Sequence, residues 1–237
     1  FGFPQMVRFA FVPSKSALAI LESLKSGGTT YAFSALLKPQ SISKDPVNSL
    51  HKKFVYEQEV LELFEAIDGS KDDEGLLSFL DYDKIKDGKM CQHIVCVLPY
   101  CASCDALEAL IENNRDEFKN LKDYEIINIS GVDSPNEYRS VQAVKATIKQ
   151  CAAEGKKTIT LTVNRMLTGS TVEEWDTMIF LKDTASPQEY DQAIFRLQNQ
   201  YIREYVGSDG DIIKFNMKPQ TLLVDFDPHR MFVMQEQ

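Results

Sequence analysis

Long apolar runs, dense cysteine spacing and an excess of basic residues are all missing from this 237-residue chain. No apolar segment approaches the roughly 20 residues that a membrane-spanning helix needs, and no secretory signal pattern opens the chain. Its five cysteines are odd in number and unevenly spaced, which is not typical of a small disulfide scaffold. We therefore expect a reduced, cytoplasmic setting.

The acidic balance limits how the chain could bind nucleic acid. Its formal net charge is -9, and phosphate binding depends on clustered Lys and Arg. This argues against a free-standing protein that binds nucleic acid by bulk electrostatics, but it allows local contacts next to a partner domain. The chain begins with Phe1 rather than Met, so we expect an excised fragment or a processed product.

Hydrophobic patterning changes at about residue 90. Residues 55–67 carry apolar side chains at helical spacing within otherwise polar surroundings, so we expect 1–90 to be a mostly helical lead-in or inter-domain segment. Strand patterns then alternate with helical ones, the strands falling at 94–98, 124–129, 158–163, 177–181, 212–215 and 222–226. This alternation predicts an α/β domain over 91–237, with a parallel sheet and helices on both faces.

Ser186-Pro187-Gln188-Glu189 combines a capping box with proline at the first helical position, and it predicts a helix to about Tyr201. On that helix Gln192, Arg196 and Asn199 would share one face, at i, i+4 and i+7. A solvated polar face is the simplest interpretation, but the planar guanidinium of Arg196 could also bind a phosphate.

Cys101-Ala-Ser-Cys104 follows a predicted buried strand at a helix start, which is where a thioredoxin-like redox site would lie. A thioredoxin-like oxidoreductase is therefore an alternative function. Two ordinary cysteines near a helix start would give the same pattern.

The stretch 158–199 resembles the paired motifs V and VI of superfamily 2 helicases. TITLTVNRMLTGSTVEEWDTMIFLKD is similar to the motif V strand, loop and following strand, and SPQEYDQAIFRLQN is similar to the motif VI pattern Gln-x-x-x-Arg-x-x-Arg. The strand at 93–99 occupies the place of motif IV. The resemblance covers about 91–230 and is strongest for helicases of restriction-modification enzymes, which implies a second RecA-like domain.

Site residues follow from the resemblance alone. Arg196 would be the arginine finger that reaches the γ-phosphate of ATP, with Gln192 beside it. The loop residues Thr168 and Gly169, together with Asn199, would contact the nucleotide. One departure is that Asn199 replaces the second motif VI arginine; Arg203, one turn further along, could compensate.

The same resemblance places Thr162, Asn164 and Arg165 against the inter-domain cleft or the DNA backbone. The chain has neither a G-x-x-x-x-G-K-[ST] phosphate loop nor a DEAD or DEAH box, so we expect no ATP hydrolysis by this chain alone. ATP and Mg²⁺ would be bound mainly by the first RecA-like domain of the same polypeptide. Double-stranded DNA and a nuclease or methyltransferase are the other implied partners. A non-catalytic interaction module on a RecA-like scaffold is a further alternative.

Overall fold

Six strands, each parallel to its neighbours, form the central sheet of the computed structural model. The structure describes residues 4–10, 32–41, 52–70, 77, 91–130, 141–163, 172–183, 187–218 and 220–225. In chain order the elements are β1 (Gln5–Ala10), α1 (Ala32–Leu36), β2 (Pro39–Ser41), β3 (Lys52–Phe54), α2 (Glu57–Asp68), β4 (His93–Leu98), α3 (Cys101–Asn113), β5 (Tyr124–Asn128), α4 (Val141–Ala153), β6 (Lys157–Val163), β7 (Thr177–Phe180), α5 (Pro187–Phe195), β8 (Ile202–Val206), β9 (Ile212–Asn216) and β10 (Gln220–Asp225).

The strand order is β1-β10-β7-β4-β6-β5, and two antiparallel pairs, β2–β3 and β8–β9, lie outside this sheet. The α/β class, the parallel sheet and the helices on both of its faces are thus confirmed. No helix in the described part of the chain is both long and apolar enough to cross a bilayer.

Strand β4 lies at the centre of the sheet and is buried on both faces. Ile94, Cys96 and Leu98 join a core cluster with residues of α1, α2 and α3. Val95 and Val97 alternate with them and join a second cluster, which includes residues of α4 and α5. This is why the strand reads as a continuous apolar run rather than an alternating one.

The segment before residue 91 contributes to the same sheet and core. Strand β1 pairs with β10 along its whole length, from Gln5 opposite Gln220 to Ala10 opposite Asp225. Helix α2 buries Leu63 in the cluster that packs on β4. The described residues of 1–90 therefore hold three strands as well as helices, which the sequence pattern did not predict. The proposed division at residue 90 remains a prediction.

A buried carboxylate joins α2 to the turn before β5. Gly69 ends α2 in the left-handed conformation, with φ of 82°, and Asp68 precedes it with no exposed surface. The Asp68 carboxylate accepts hydrogen bonds from the backbone N–H groups of Lys119 at 2.7 Å, Asn120 at 3.1 Å and Leu121 at 2.7 Å. These bonds satisfy a turn that would otherwise bury unpaired donors.

Two expectations for the carboxyl-terminal third are wrong. The helix expected to reach Tyr201 ends at Phe195, and the strand at 212–215 is not part of the central sheet. It pairs with β8 instead, through a turn in which the Gly207 N–H donates to the Asp211 oxygen at 2.7 Å and Gly210 takes a φ of 85°. Asp-Gly sequences favour such hairpin turns. We call residues 202–216 the β8–β9 hairpin.

Candidate functional site

The carboxyl ends of β5 and β6 are joined by two hydroxyls. Ser130 Oγ lies 3.0 Å from Thr162 Oγ1, and the Val163 N–H donates to Ser130 Oγ at 3.1 Å. Thr162 is fully buried. Its hydroxyl thus joins the two strand ends from inside, and the expected contact of Thr162 with the inter-domain cleft or the DNA backbone remains a prediction.

Two carboxylates at the same edge are also engaged within the protein. Asp183 follows β7 and accepts a hydrogen bond from the Ser34 N–H at 2.9 Å, in the first turn of α1. Asp105, in α3, accepts one from the Asn128 side-chain amide at 2.9 Å, at the end of β5. Each hydrogen bond connects a helix to the carboxyl end of a strand, and together they hold α1 and α3 at the carboxyl-terminal edge of the sheet.

The loop after β6 carries four of the predicted site residues, Asn164, Arg165, Thr168 and Gly169. All four lie outside the described residues. Their assigned contacts with DNA and nucleotide remain predictions.

Helix α5 determines where the predicted arginine finger lies. It follows β7 in the chain, and its nine residues span about 13 Å at 1.5 Å per residue. Its apolar residues Ile194 and Leu197 are buried in the second core cluster, as expected from their spacing. Gln192 is exposed, and Arg196 is half-buried as the first residue after the helix.

Asn199 has a local partner at the end of this helix. Its side-chain amide donates to the Arg196 main-chain oxygen at 3.1 Å, and the Gln198 N–H donates to the Phe195 oxygen at 3.1 Å. These bonds close the last turn, so Asn199 does not continue the helical face shared by Gln192 and Arg196. Gln192 and Arg196 thus lie on or next to α5, whereas Thr162 lies in β6, and the roles assigned to these residues remain predictions.

The cysteine pair does not have the features of a redox site. Cys101 is half-exposed at the start of α3, Cys104 is buried, and both are free thiols. Burial raises the pKa of the Cys104 thiol well above its usual range, and nearby thiols and Asp105 raise it further. Since the thiolate is the reactive species, this environment argues against the thioredoxin-like alternative.

The amino-terminal edge holds a buried carboxylate that the sequence analysis did not single out. Asp176 precedes β7 and accepts hydrogen bonds from the N–H groups of Gln92 at 3.1 Å and His93 at 3.3 Å and from the Thr177 hydroxyl at 2.9 Å. Burial raises its pKa from 3.8 to about 7, against the opposite effect of these bonds and of Lys218. Asp176 thus aligns the starts of β4 and β7.

Lys218 connects the β8–β9 hairpin to this edge. Its side chain is almost fully buried, and its ammonium donates to the main-chain oxygens of Glu173 at 2.8 Å and Trp175 at 3.1 Å. Burial lowers its pKa to about 8, although Asp176 and Glu174 act in the opposite direction. The sequence signal that could have identified this buried edge is a charged residue directly before a short apolar strand, as Asp176 is before β7.

His93 completes the buried polar groups of this edge. Its Nδ1 lies 2.9 Å from the Thr158 hydroxyl, at the start of the neighbouring strand β6. Burial, together with the nearby positive charge of Arg203, lowers its pKa to about 4. The imidazole is therefore neutral at physiological pH, and the proximity of Arg203 shows that the hairpin folds back over the start of β4.

Comparisons with known proteins give one relative by sequence. Over 201 residues the chain is 30% identical to a Mycoplasma pneumoniae protein named as a type II restriction enzyme and methyltransferase, RM.MpnORF110P C-terminus. The match covers 84% of this chain but only 26% of that protein. No family model matches the chain.

Among solved structures, the C-terminal part of the Fun30 ATPase domain aligns with 94% of this chain, and 85% of that chain is covered. The TM-score is 0.44 and the sequence identity is 10%. This likeness is below the level at which a shared fold follows.

Proposed function

We propose that this chain is the second RecA-like motor domain of an ATP-dependent DNA translocase that belongs to a restriction-modification enzyme. The observation that carries the proposal is the match to a protein named as a restriction enzyme and methyltransferase. The parallel α/β sheet, with a helix after β7 that carries Gln192 and ends directly before Arg196, is compatible with the helicase motifs that the sequence resembles. Double-stranded DNA and a nuclease or methyltransferase are the proposed partners.

In this proposal Arg196 is the arginine finger. It is half-buried at the end of a helix whose apolar face is packed on the sheet, so its position is fixed while part of the side chain stays accessible. A planar guanidinium can donate two hydrogen bonds to a phosphoryl group and stabilise charge in phosphoryl transfer. ATP and Mg²⁺ would be held mainly by the first RecA-like domain, with Gln192 beside Arg196 at the inter-domain cleft.

We propose that no residue in the described part of the chain replaces the second arginine of motif VI. Asn199 bonds to the end of α5, and Arg203 lies on the hairpin with its guanidinium 5.5 Å from the Tyr201 ring centre. We therefore propose a single-arginine contact, with Arg203 serving a different site.

The test is DNA-stimulated ATPase activity of the full-length parent enzyme. We expect Arg196→Ala to lower kcat by at least about 100-fold while DNA binding is retained, because an arginine finger acts mainly on the transition state. Arg115→Ala is the matched control, since Arg115 lies on the surface at the end of α3 and pairs with Glu112. Normal turnover of the Arg196→Ala enzyme would refute the assignment.

A further inference from the structure

A cleft at the amino-terminal edge of the sheet lies outside the proposed motor machinery. Its cavity measures about 380 Å³ and is bordered by the β8–β9 hairpin, the turn after α4 and the starts of β4 and β7. Ligand pockets in proteins commonly have volumes of roughly 300–1,000 Å³. The cleft includes neither Arg196 nor Gln192, so an inference about it stands independently of the proposed function.

The rim of the cleft combines an aromatic ring with cations. Arg203 and Phe215 are paired across β8 and β9, and both line the cavity. Phe215 is 51% exposed, and its ring packs edge-on against Tyr205 with the ring centres 5.3 Å apart, so a face of the Phe215 ring can still accept a stacked group. Lys156 also lines the cavity and pairs with Glu154 at 3.1 Å, an exposed contact that a ligand could replace at little cost.

Acceptors lie deeper in the cleft. Glu174 and Asp176 line it and are each only 5% exposed, and Gln92 and Asn216 add amide groups. The carboxylate oxygens of Asp176 already accept hydrogen bonds from backbone and hydroxyl donors. The Lys218 ammonium donates to the main-chain oxygens of Glu173 and Trp175, not to Glu174. Glu174 is therefore the acidic group best placed to accept hydrogen bonds from a ligand.

We propose that this cleft binds a nucleoside phosphate. The base would stack on Phe215 and direct its N–H donors towards Glu174, and the phosphate would contact Arg203 and Lys156. Stacking of a base on an aromatic ring contributes about 1–3 kcal/mol, and Arg binds phosphate through two parallel donors. An inorganic anion would not contact the face of the Phe215 ring, and an apolar ligand would not pair with the two cations.

An adjoining cavity indicates where a longer ligand would continue. It measures about 420 Å³, shares Glu174 with the first cleft and is lined by Lys145 and Lys149 of α4. These two lysines are four residues apart and lie one above the other on the helix. Glu173 lines the same cavity and partly offsets their charge. A nucleoside phosphate could thus be a free nucleotide or one unit of a single strand.

The first experiment is a calorimetric titration of the 237-residue chain with GMP, UMP and inorganic phosphate. We expect GMP to bind most tightly, because guanine offers adjacent N–H donors to a carboxylate and inorganic phosphate has no ring to stack. Phe215→Ala should weaken GMP binding by about 5-fold or more. Phe195→Ala is the matched control, because Phe195 is 61% exposed and does not line the cleft.

Failure of all three probes to bind would overturn the proposal, as would equal weakening by Phe215→Ala and Phe195→Ala. Circular dichroism of each variant establishes that a loss of binding is not a loss of folding. Arg196→Ala should leave GMP binding unchanged, so failure of this proposal and failure of the motor proposal are separate results.

A single-stranded oligonucleotide of eight mixed nucleotides distinguishes the two sources of the ligand. If the oligonucleotide binds more tightly than GMP, the ligand is a strand that continues along α4. In that case the Lys145→Gln, Lys149→Gln double variant should weaken oligonucleotide binding and leave GMP binding unchanged. Oligonucleotide binding no tighter than that of GMP supports a free nucleotide. In both cases Phe215→Ala must weaken the interaction.

Discussion

The buried ammonium of Lys218 donates to the main-chain oxygen of Trp175 at 3.1 Å, and so attaches the β8–β9 hairpin to the residues before β7. A second bond, to the Glu173 oxygen at 2.8 Å, strengthens the attachment. Lys218→Met keeps the apolar stem but removes both bonds. We expect it to lower the free energy of unfolding by about 2–3 kcal/mol, measured by urea denaturation with Trp175 fluorescence.

Lys214→Met is the control for that measurement. Lys214 lies on the same hairpin, but its side chain is exposed and its ion pair with Glu204 has a separation of 3.7 Å. We expect a change within about 0.5 kcal/mol, because exposed ion pairs contribute little. Equal destabilisation by both substitutions would contradict a specific role for Lys218.

Asp176 and His93 should give opposite contributions to the pH dependence of stability. The pKa of Asp176 rises from 3.8 to about 7 on folding, so its contribution is fully present below pH 4 and is lost as pH rises to 7. The pKa of His93 falls from 6.5 to about 4, so its contribution is present above pH 6.5 and is lost as pH falls to 4.

The two contributions therefore offset each other between about pH 4 and 6.5. Relative to the wild type, Asp176→Asn should make stability rise more steeply with pH in this range, and His93→Gln should make it fall. Urea unfolding at half-unit pH steps measures both slopes. Identical slopes for the wild type and the two variants would show that neither group titrates as described.

Asp68 should be among the most sensitive polar positions. Asp68→Ala removes the acceptor for three backbone N–H groups in a fully buried site, and we expect a loss of about 3–5 kcal/mol. Asp116→Ala is the control, because Asp116 lies in an exposed turn nearby. The measurement is thermal unfolding of the two variants at the same pH. A small effect of Asp68→Ala would contradict the role of Asp68 as the acceptor for the backbone N–H groups of this turn.

Cys101 should be the cysteine that reacts first in the folded protein. It is half-exposed, whereas Cys91, Cys96, Cys104 and Cys151 are buried. Titration with a thiol reagent should modify Cys101 rapidly and the others only after unfolding, and a Cys101→Ser variant should lose the fast phase. Insulin reduction should stay at background. Rapid modification of Cys104, or insulin reduction that depends on it, would restore the redox alternative.

The sequence predicts the central strands well because β4 and β7 are short apolar runs and β6 alternates threonine with aliphatic residues, which are patterns typical of strands. It does not predict the carboxyl-terminal hairpin, since the apolar residues of 212–215 match a sheet strand equally well. In the structure Ile212 is 63% exposed and Phe215 is 51% exposed, so hydrophobicity alone gave the wrong partner for this strand.

The candidate site also contains residues that the sequence identified and residues that it did not. Residues such as Arg196 were identified by resemblance to a motif, and the local helix spacing placed Ile194 and Leu197 correctly in the core. Asp176 and Lys218 were missed because their contacts with main-chain groups join positions that are 43 or more residues apart. Apart from a charge directly before a short strand, such contacts leave little pattern in the side chains.

The position of β10 has a consequence for the order of assembly during synthesis. Strand β10 lies between β1 and β7, so β1 can join the sheet only after the chain has been made to about residue 225. At ribosomal rates of about 5–20 residues per second, residues 5–10 would wait on the order of 10–40 seconds without their strand partner. Once β7 has been made, it is an open edge until β10 follows, and a chaperone or another part of a nascent chain could occupy that edge first.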